Sequence, residues 1–388
     1  MENNFTVDSV FLRINLQEKM NTNTPLARLE LSRSGIASNY HYFRSLLKPE
    51  TKMLILVKAN GYGHGAVPFA RQMEKLGAAY LGVALPGEGV ELRKAGIDLP
   101  ILVLTTGVED YPEIIRYDLM PGIPDLPALI RLRDELRKAG RTDYPVHVNI
   151  DTGMHRLGFM EREVPDLLDF LKVSPEIHIE GLYTHLAASD EAQHDAFTRG
   201  QIALYEKLST QIMEALPYRP LRHVLNSAGI ERFTEHQYDM VRLGIGIYGI
   251  SAAGSEDLKP TAFYRCPILQ IKDLHPEDGT VGYGRHGKLG PGVTRSATLC
   301  VGYADGINRH LGCGRACFEV NGKLAPTLGN ICMDMCMIDV TGIDCQEGDI
   351  VTIFGDNPTA ADLARILDTI PYEIFTSIPK RVKRVLVD

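Results

Sequence analysis

The chain has 388 residues, of which 44% are apolar and 23% are charged, and this composition is that of an ordinary globular protein. Its 41 basic and 49 acidic residues give a formal charge of −8, which argues against a nucleic-acid partner, because such a protein needs a basic face for the phosphates. At about 100–200 residues per domain, the length fits two or three domains, or one large barrel with a smaller partner. All seven cysteines lie after residue 265, which indicates two regions that are built differently.

Residues 1–24 are predicted to be a polar extension. Asp8, Arg13, Asn15 and Gln17 interrupt the apolar positions near its start, so the segment has no apolar core of a secretory signal. Nowhere does the chain have an apolar run near the roughly 18 residues that a transmembrane helix needs. We therefore expect a cytoplasmic protein with no membrane partner, in which the cysteines stay reduced.

Short apolar runs alternate with helical patterns up to about residue 250. Segments Pro127–Lys138, closed by Gly140, and Gln193–Ala215 are typical of helices. Alternation of strands and helices predicts right-handed crossovers and a parallel sheet. Eight such units favour a (β/α)8 TIM-type barrel over an open sheet, and we assign residues 25–255 to it. The predicted strands, rich in Ile, Val and Leu, are Met53–Lys58, Leu81–Leu85, Ile101–Thr105, Leu119–Gly122, Val146–Ile150, Ile177–Thr184, His223–Asn226 and Met240–Leu243.

The pattern changes after about residue 255. Turn dipeptides such as Asp278-Gly279 and Asn321-Gly322 recur, and short alternating runs lie between them. This pattern is typical of antiparallel strands, so we predict a mostly antiparallel β domain at residues 256–388. One late helix is expected over Thr359–Leu367, with Thr359 as its N-cap. The predicted strands of this region include Ala297–Val301, Cys317–Val320 and Ile350–Phe354.

The first predicted barrel strand ends in the sequence VKANGYGHG. Barrel enzymes carry their chemistry at the carboxyl ends of the strands, and Lys58 lies at this end. A lysine that extends its amine into solvent is one interpretation. However, Gly61, Gly63 and Gly65 follow and allow the backbone to approach a ligand closely. A desolvated lysine in such a place can form a Schiff base with an aldehyde cofactor.

Nine motifs of this chain resemble, in order, the motifs of the alanine racemase family. They cover the chain from about Pro25 to the C-terminus, so the resemblance does not depend on one short pattern. It implies a barrel that binds pyridoxal 5′-phosphate, followed by a β domain, which is the architecture that the strand pattern predicts independently. The motifs are VKANGYGHG, DTGMHRLGF at Asp151–Phe159, YTHLAASD at Tyr183–Asp190, NSAG at Asn226–Gly229, VRLGIGIYG at Val241–Gly249, VGYGRHG at Val281–Gly287, VGYADGINR at Val301–Arg309, LGNICMDMCMID at Leu328–Asp339 and PYEIFTSIPKRVKR at Pro371–Arg384.

The resemblance implies two catalytic bases. Lys58 matches the lysine that binds the cofactor and acts on one face of the substrate Cα, and Tyr283 matches the base on the opposite face. Racemisation needs two such groups, because a proton leaves one face and returns on the other. A free tyrosine has a pKa of about 10, so Tyr283 needs positive or hydrogen-bonding neighbours to act as a base. His185 and Arg242 match the residues that provide them.

The resemblance also implies the groups that bind the cofactor and the substrate. Arg242 matches the arginine that faces the pyridine nitrogen, and because arginine stays protonated, this nitrogen is expected to stay unprotonated, which favours racemisation over side reactions. Arg156 and the amide of Met333 match the groups that bind the substrate carboxylate. The phosphate is assigned to Tyr62, Ser227, Tyr372 and the amides of Gly244 and Ile245. The full cofactor-binding set is Lys58, Tyr62, His185, Asn226, Ser227, Arg242, Gly244, Ile245 and Tyr372.

One position departs from the family pattern. Many members have a carbamylated lysine seven residues before the arginine of the DTGMxRLG motif, and that lysine helps to hold the arginine. This chain has Asn149 there, which cannot be carbamylated and has no charge. Either a bound anion such as chloride replaces the lysine, or Arg156 is held less tightly.

Two cysteine pairs introduce the alternative of a structural zinc site. Cys313 and Cys317, together with Cys332 and Cys336, could supply four thiolates. Zinc ribbons prefer two intervening residues, whereas three lie between the members of each pair here. Residues four apart in a strand share a face, so the pairs are also explained as small buried residues, and we expect no metal.

The resemblance implies a racemase that interconverts L- and D-alanine and supplies D-alanine for cell-wall peptidoglycan. Close alternatives are racemases for serine, for lysine or for a broad range of amino acids. A non-catalytic pyridoxal phosphate carrier resembles the barrel alone, and a pyridoxal phosphate decarboxylase has other catalytic groups in its β domain. A homodimer is also implied, in which each site combines Lys58 of one copy with Tyr283 of the other.

Overall fold

Two structural units are seen in the computed structural model, which describes residues 27–107 and 109–388. The barrel unit consists of Glu30–Phe263, Thr359–Lys380 and Leu386–Asp388. The β unit consists of residues 27–29, Tyr264–Pro358 and Arg381–Val385. The predicted polar extension at residues 1–24 lies outside the described residues. The first described strand, β1 (Arg28–Ser32), pairs with the strands Ala262–Leu274 and Lys383–Val387, and its residues from Glu30 onward are counted in the barrel unit.

The barrel unit contains eight parallel strands in the order β8-β7-β6-β5-β4-β3-β2-β9. Backbone hydrogen bonds join the two ends of this sheet: the amide of Asp239 donates to Arg222 O (3.2 Å) and the amide of Arg242 to Leu225 O (2.9 Å). The predicted TIM-type barrel is therefore confirmed. The strands are β2 (Lys52–Leu56), β3 (Tyr80–Val83), β4 (Ile101–Val103), β5 (Met120–Ile123), β6 (Tyr144–Asn149), β7 (Ile177–Tyr183), β8 (Leu221–His223) and β9 (Met240–Leu243).

Burial explains why the barrel strands were recognisable in the sequence. Every residue of β3, β4 and β5 is buried, because helices cover one face and the barrel interior fills the other. Strands in this environment have continuous apolar runs rather than alternating ones. Each of the eight predicted strands corresponds to an observed one, with ends that differ by a few residues.

Helices follow most of the barrel strands. The predicted helix Pro127–Lys138 is observed as Leu126–Ala139; Asp125 accepts the amide of Ala128 at its start (2.7 Å), and Gly140 takes a left-handed conformation at its end. The predicted helix Gln193–Ala215 is a 3-10 turn followed by Asp195–Ala215. The helices of this unit are Arg33–Ser45, Ala66–Leu76, Pro86–Lys94, Tyr111–Arg116, Leu126–Ala139, Val164–Lys172, Asp195–Ala215, Ser227–Arg232, Ala360–Ile366 and Pro371–Thr376. In residues 27–107 and 109–388, no helix is both long enough and apolar enough to cross a bilayer.

The β unit has a sheet in the order β15-β14-β17-β10-β1-β18, and β13 pairs with both β10 and β16. The pairs of β10, β13, β14 and β17 are antiparallel, so the predicted mostly antiparallel β structure is confirmed. The strands after β9 are β10 (Ala262–Leu274), β11 (Thr280–Val281), β12 (Gly287–Lys288), β13 (Thr294–Leu299), β14 (Cys317–Val320), β15 (Lys323–Pro326), β16 (Cys336–Asp339), β17 (Ile350–Phe354) and β18 (Lys383–Val387).

The predicted helix after β17 is observed as Ala360–Ile366. Thr359 caps it, because its hydroxyl accepts the amide of Asp362 (3.1 Å) while the Asp362 carboxylate accepts the amide of Thr359 (2.9 Å). Together with Pro371–Thr376, this helix belongs to the barrel unit, although it follows the strands of the β unit in the chain.

The segment after β2 turns with left-handed backbone conformations. Ala59, Asn60 and Gly61 have φ values of 52°, 55° and 62°, and Gly63 follows with a φ of 80°. A Cβ on Gly63 would overlap the carbonyl oxygen of Phe375 in helix Pro371–Thr376. Only glycine fits this position, since it allows both the positive φ and the close approach of the two backbones.

We predict that Gly63→Ala lowers the free energy of unfolding by about 2 kcal/mol or more, because alanine must adopt a positive φ and displace the Phe375 carbonyl. Urea unfolding followed by circular dichroism measures the change. Gly87→Ala is the matched control, since a Cβ at Gly87 meets no atom within 4 Å. Equal midpoints for the two variants would contradict the predicted constraint.

Candidate active site

A cavity of about 610 Å³ lies at the carboxyl ends of the barrel strands. Its wall includes Leu56 from the end of β2, Asn149 from the end of β6, Tyr183 from the end of β7 and Arg242 from β9. Ten of the residues that the sequence nominates line this cavity, although they come from distant parts of the chain: Lys58, Tyr62, Arg156, His185, Asn226, Ser227, Arg242, Gly244, Ile245 and Tyr372.

Tyr283 and Met333, the two remaining nominated residues, are not among the residues that line the cavity. Both belong to the β unit, where the exposed fraction is 70% for Tyr283 and 54% for Met333. Tyr283 begins a 3-10 turn, and the side-chain amide of Asn330 donates to its carbonyl oxygen (2.8 Å). Its backbone is thus fixed while its side chain points into solvent.

Lys58 follows the end of β2, and its side chain is half-buried. Burial lowers its pKa, because the charged amine loses water, and the nearby positive charge of Arg156 lowers it further. The carboxylate of Glu88 acts in the opposite direction and raises it. The balance leaves the pKa of Lys58 below its ordinary value, so a larger fraction of the amine is neutral and nucleophilic at neutral pH.

Arg242 is fully buried in β9 and makes four hydrogen bonds through its two terminal nitrogens. One terminal nitrogen donates to His223 Nδ1 (3.0 Å) and His223 O (2.9 Å), and the other to Thr184 O (2.6 Å) and Val224 O (3.1 Å). Burial lowers its pKa to about 10, so it is still a cation at neutral pH. In the part of the chain that the structure describes, neither a carboxylate nor an acceptor for its Nε–H contacts it. The Nε–H is therefore the donor that remains for a ligand.

The bonds of Arg242 also fix the proton positions on two buried histidines. A guanidinium only donates, so His223 Nδ1 accepts and the proton of this neutral ring lies on Nε2. That Nε2 lies 2.9 Å from Nδ1 of His147, which must accept in turn. The proton of His147 is then on its own Nε2, which is buried and has no partner among the described residues. Burial and the charge of Arg242 lower the pKa of both rings, to about 3 for His147, which keeps them neutral.

His185 and Tyr183 line the cavity beside Arg242. Burial, followed by the positive charges of Arg242, Arg156 and Lys58, lowers the pKa of His185 to about 3, so its imidazole is neutral. Burial raises the pKa of Tyr183 to about 12, and the guanidinium carbon of Arg242 lies 5.5 Å from the centre of its ring. Arg242, Arg156 and Lys58 therefore place positive charge at the mouth of the barrel. His185 and Tyr183 are both uncharged at neutral pH and do not change this charge.

Backbone and hydroxyl donors converge between β8 and β9. The hydroxyl of Ser227 accepts the amides of Gly244 (2.9 Å) and Gly246 (3.2 Å). A Cβ on Gly244 would lie 3.2 Å from the Tyr62 hydroxyl, so a side chain at this position would fill the space beside it. The Tyr62 and Tyr372 rings are 6.0 Å apart, and neither hydroxyl has a hydrogen-bond partner within residues 27–107 and 109–388.

The remaining nominated residues of this region have local bonds. The carboxamide oxygen of Asn226 accepts the Ser189 hydroxyl and the Gly229 amide, both at 2.8 Å, so Asn226 caps the helix that begins at Ser227. Ile245 opens a 3-10 turn, and its amide donates to no described residue.

Arg156 lies on the loop after β6 and is exposed. Among the described residues, no hydrogen bond or ion pair holds its guanidinium. The side-chain amide of Asn149 donates to Leu157 O (3.0 Å), so it restrains the backbone next to Arg156. Asp151 orders the rest of the loop: burial raises its pKa, but hydrogen bonds from Gly153 and His155 outweigh this and lower it.

Sequence reasoning missed the contribution of His147 and His223. A signal existed, because both imidazoles lie in predicted barrel strands, and a polar side chain inside a barrel needs a buried partner. The partner, Arg242, is distant in the chain, so the sequence could not show which of the three bind one another. In the described part of the chain, no cluster of His, Cys, Asp or Glu could hold a metal ion.

The fold and the cavity define a barrel enzyme whose site combines a half-buried lysine with two arginines. The family model described as alanine racemase, N-terminal domain, matches residues 31–252, and the model described as alanine racemase, C-terminal domain, matches residues 263–386. The alanine racemase of Halothermothrix orenii is 35% identical over 92% of this chain and 95% of its own length.

Solved structures agree with these sequence matches. The alanine racemase of Clostridium difficile 630 has a TM-score of 0.87 at 33% identity, and the alignment covers 94% of this chain and 96% of that one. The alanine racemase of Bartonella henselae, solved with covalently bound pyridoxal phosphate, has a TM-score of 0.83 at 26% identity over 94% of this chain and all of that one. This chain belongs to the alanine racemase family and is an isomerase that acts on alanine.

We predict that His147 makes the barrel less stable at mildly acidic pH. Its pKa is lowered in the folded state, so below about pH 6.5 the unfolded chain binds a proton that the folded chain does not bind until about pH 3. Protonation of His147 in the unfolded chain alone should therefore lower the free energy of unfolding by about 1.4 kcal/mol for each pH unit below about pH 6.5. His147→Gln should reduce the fall between pH 7 and pH 5 in urea unfolding. His41→Gln, which changes an exposed imidazole, is the control, and the same fall in both variants would contradict the assignment.

Proposed function

We propose that this chain interconverts L- and D-alanine with pyridoxal 5′-phosphate bound in the barrel cavity, and that it supplies D-alanine for cell-wall peptidoglycan. The observation that carries the proposal is the convergence of Lys58, Arg242 and Arg156 on one cavity, in a chain that belongs to the alanine racemase family. Each of these side chains has a property that the reaction needs.

The donor set of the cavity fits pyridoxal 5′-phosphate at three places. Lys58 provides an amine of lowered pKa for the aldehyde. The hydroxyls of Tyr62, Tyr372 and Ser227 and the Ile245 amide are donors for the phosphate. The Gly244 amide, which the resemblance also assigns to the phosphate, already donates to Ser227 Oγ (2.9 Å), so Gly244 contributes the space beside Tyr62 instead. The Nε–H of Arg242 provides one hydrogen bond for the pyridine nitrogen. When bound, the cofactor withdraws electrons from the substrate Cα and so acidifies its proton.

Lys58 acts as the base on one face of the substrate Cα. Burial and Arg156 favour the neutral form of its amine, which would accept a proton from the substrate Cα. Because Arg242 stays protonated, a pyridine nitrogen facing its Nε–H would remain a hydrogen-bond acceptor, and the bound cofactor would withdraw electrons from Cα less strongly. Arg242 would thereby favour return of the proton to Cα over side reactions.

Arg156 binds the substrate carboxylate. Its guanidinium has no ion-pair partner among the described residues, and it lies close enough to Lys58 to lower the pKa of the amine. A substrate carboxylate bound there would provide the negative charge that pairs with Arg156, and it would hold the Cα next to Lys58. The amide of Met333 is assigned to the same carboxylate, from the second copy described next.

The second base, Tyr283, is assigned to a homodimer. Its side chain is 70% exposed, and Tyr303, Met333 and Met335 of the same unit are exposed as well. Their segments are joined by backbone bonds, because Tyr303 donates to Cys332 O (2.9 Å). An exposed group of large apolar side chains is typical of a protein interface. We assign this face to the cavity of a second copy, where the phenol of Tyr283 serves the other face of Cα.

The enzyme is assigned to the cytoplasm. All seven cysteines are free thiols, including the exposed Cys313 and the buried Cys266, Cys336 and Cys345. A chain with this many unpaired cysteines is suited to a reducing compartment, where thiols persist.

Purified protein with pyridoxal 5′-phosphate should racemise alanine faster than serine, lysine or glutamate in an assay of both enantiomers. In D2O, the α-proton of alanine should exchange as racemisation proceeds, and Lys58→Ala should abolish both. Faster turnover of another amino acid would reassign the substrate. Absence of α-proton exchange would indicate a carrier, and release of carbon dioxide would indicate a decarboxylase.

Mixing inactive Lys58→Ala and Tyr283→Phe chains should restore about a quarter of the sites, because random pairing makes half of the dimers mixed and each mixed dimer has one intact site. The activity is compared with that of wild-type chains taken through the same exchange procedure. No recovery after subunit exchange has been verified by mass spectrometry would refute the shared site.

A further inference from the structure

Glu88 contacts two loops of the barrel mouth at once. It lies in the first turn of helix Pro86–Lys94, and its Oε2 accepts the amides of Ala84 (2.8 Å) and Leu85 (3.2 Å) at the start of that helix. Its other oxygen, Oε1, accepts the amide of Ala59 (2.6 Å), which follows Lys58 directly in the chain. The first pair of bonds caps a helix, but the third bond ties the lysine segment to the loop after β3.

The amide of Ala59 needs an acceptor from outside its own segment. Inside the left-handed turn, Gly61 donates to Val57 O (2.8 Å), Gly63 to Ala59 O (3.0 Å) and Gly65 to Asn60 O (2.8 Å). The amide of Ala59 donates instead to the Glu88 side chain. Left-handed conformations are unfavourable for Ala59 and Asn60, so the turn persists only where the surrounding structure holds it.

We propose that Glu88 is a positioning residue for Lys58: by binding the Ala59 amide, it fixes the backbone from which the lysine amine reaches its reaction partner. This inference rests on the proposed role of Lys58. Glu88 does not line the cavity, so it acts through the lysine segment and not on the substrate. The negative charge of the carboxylate also raises the pKa of Lys58 against burial and Arg156, which is consistent with its proximity to the amine.

Glu163 provides a matched comparison. It occupies the equivalent position in the 3-10 turn Glu161–Glu163, and its Oε2 accepts the amide of Met160 (2.8 Å). Like Glu88, it is partly buried and forms a capping interaction. It has no contact with the lysine segment, so Glu163→Gln reports the effect of losing a capping carboxylate alone.

The experiment compares Glu88→Gln with Glu163→Gln in the full chain. Both should lower Tm by a few degrees, and Glu88→Gln by at least as much as Glu163→Gln, because it weakens the bond to Ala59 in addition to a capping interaction. Only Glu88→Gln should lower kcat, by about 100-fold for a displaced reacting group, with a much smaller change in KM. Only this variant should also slow the covalent capture of added pyridoxal 5′-phosphate by the apoprotein, measured by mass spectrometry after borohydride reduction, and speed hydrogen exchange at the Ala59 amide.

Glu88→Asp serves as a second variant if Glu88→Gln does not fold. It keeps a carboxylate at the start of the helix, but it is shorter by one methylene, so it cannot reach the Ala59 amide and both capping amides as Glu88 does. The same loss of kcat and of cofactor capture should result.

Equal kcat, capture rate and Ala59 exchange in the Glu88 and Glu163 variants would overturn the inference. Failure of the proposed function gives a different result, since the wild-type chain would then not racemise alanine at all. Capture of the cofactor and amide exchange at Ala59 still test the role of Glu88 in that case, because neither depends on turnover.

Discussion

The site depends on a guanidinium that is buried without a carboxylate. Arg242 lies inside the barrel, where an unpaired charge is unfavourable unless hydrogen bonds replace its water. Three carbonyl oxygens and one imidazole nitrogen do so, and all of them come from the ends of β7 and β8 or the residues that follow. The strands of a closed barrel can present carbonyl groups in this way because their carboxyl ends converge. The guanidinium in turn determines which nitrogen of His223 and of His147 carries a proton. One buried charge thus fixes the hydrogen-bond directions of both imidazoles.

Lys58 is held by a different means. It follows a buried parallel strand and precedes a left-handed turn, so the backbone on both sides of it is constrained. Gly63 packs against helix Pro371–Thr376, which is more than three hundred residues later in the chain. The Tyr372 side chain of that helix lines the same cavity. The C-terminal part of the chain thus helps to build the barrel mouth, and the glycines of the lysine motif are needed for packing as well as for ligand approach.

Much of this could be predicted from the sequence, for a physical reason. The barrel strands are buried on both faces and have apolar runs that stand out, and the turns of the β unit are marked by Asn-Gly and Asp-Gly pairs. Residues such as Arg156 and Ser227 could be nominated because each lies in a local motif. The contacts of Glu88 with Ala59 and of His147 with His223 could not be predicted, because they join residues 29 and 76 positions apart and depend on the register of neighbouring strands. The hydrogen bonds of Asn149 and Asn226 could not be predicted either, because a carboxamide can donate or accept with many different partners.

The position of Tyr283 separates the ability to bind the cofactor from the ability to racemise the substrate. All the groups assigned to the cofactor belong to the barrel unit, whereas the exposed Tyr283 belongs to the β unit. If the second base comes from another copy, a single chain has everything needed to retain the cofactor and lacks only the ability to invert a stereocentre. Cofactor content then follows the amount of folded barrel, while activity follows the concentration of paired chains. Dilution would turn the enzyme into a carrier without changing any bond inside the barrel.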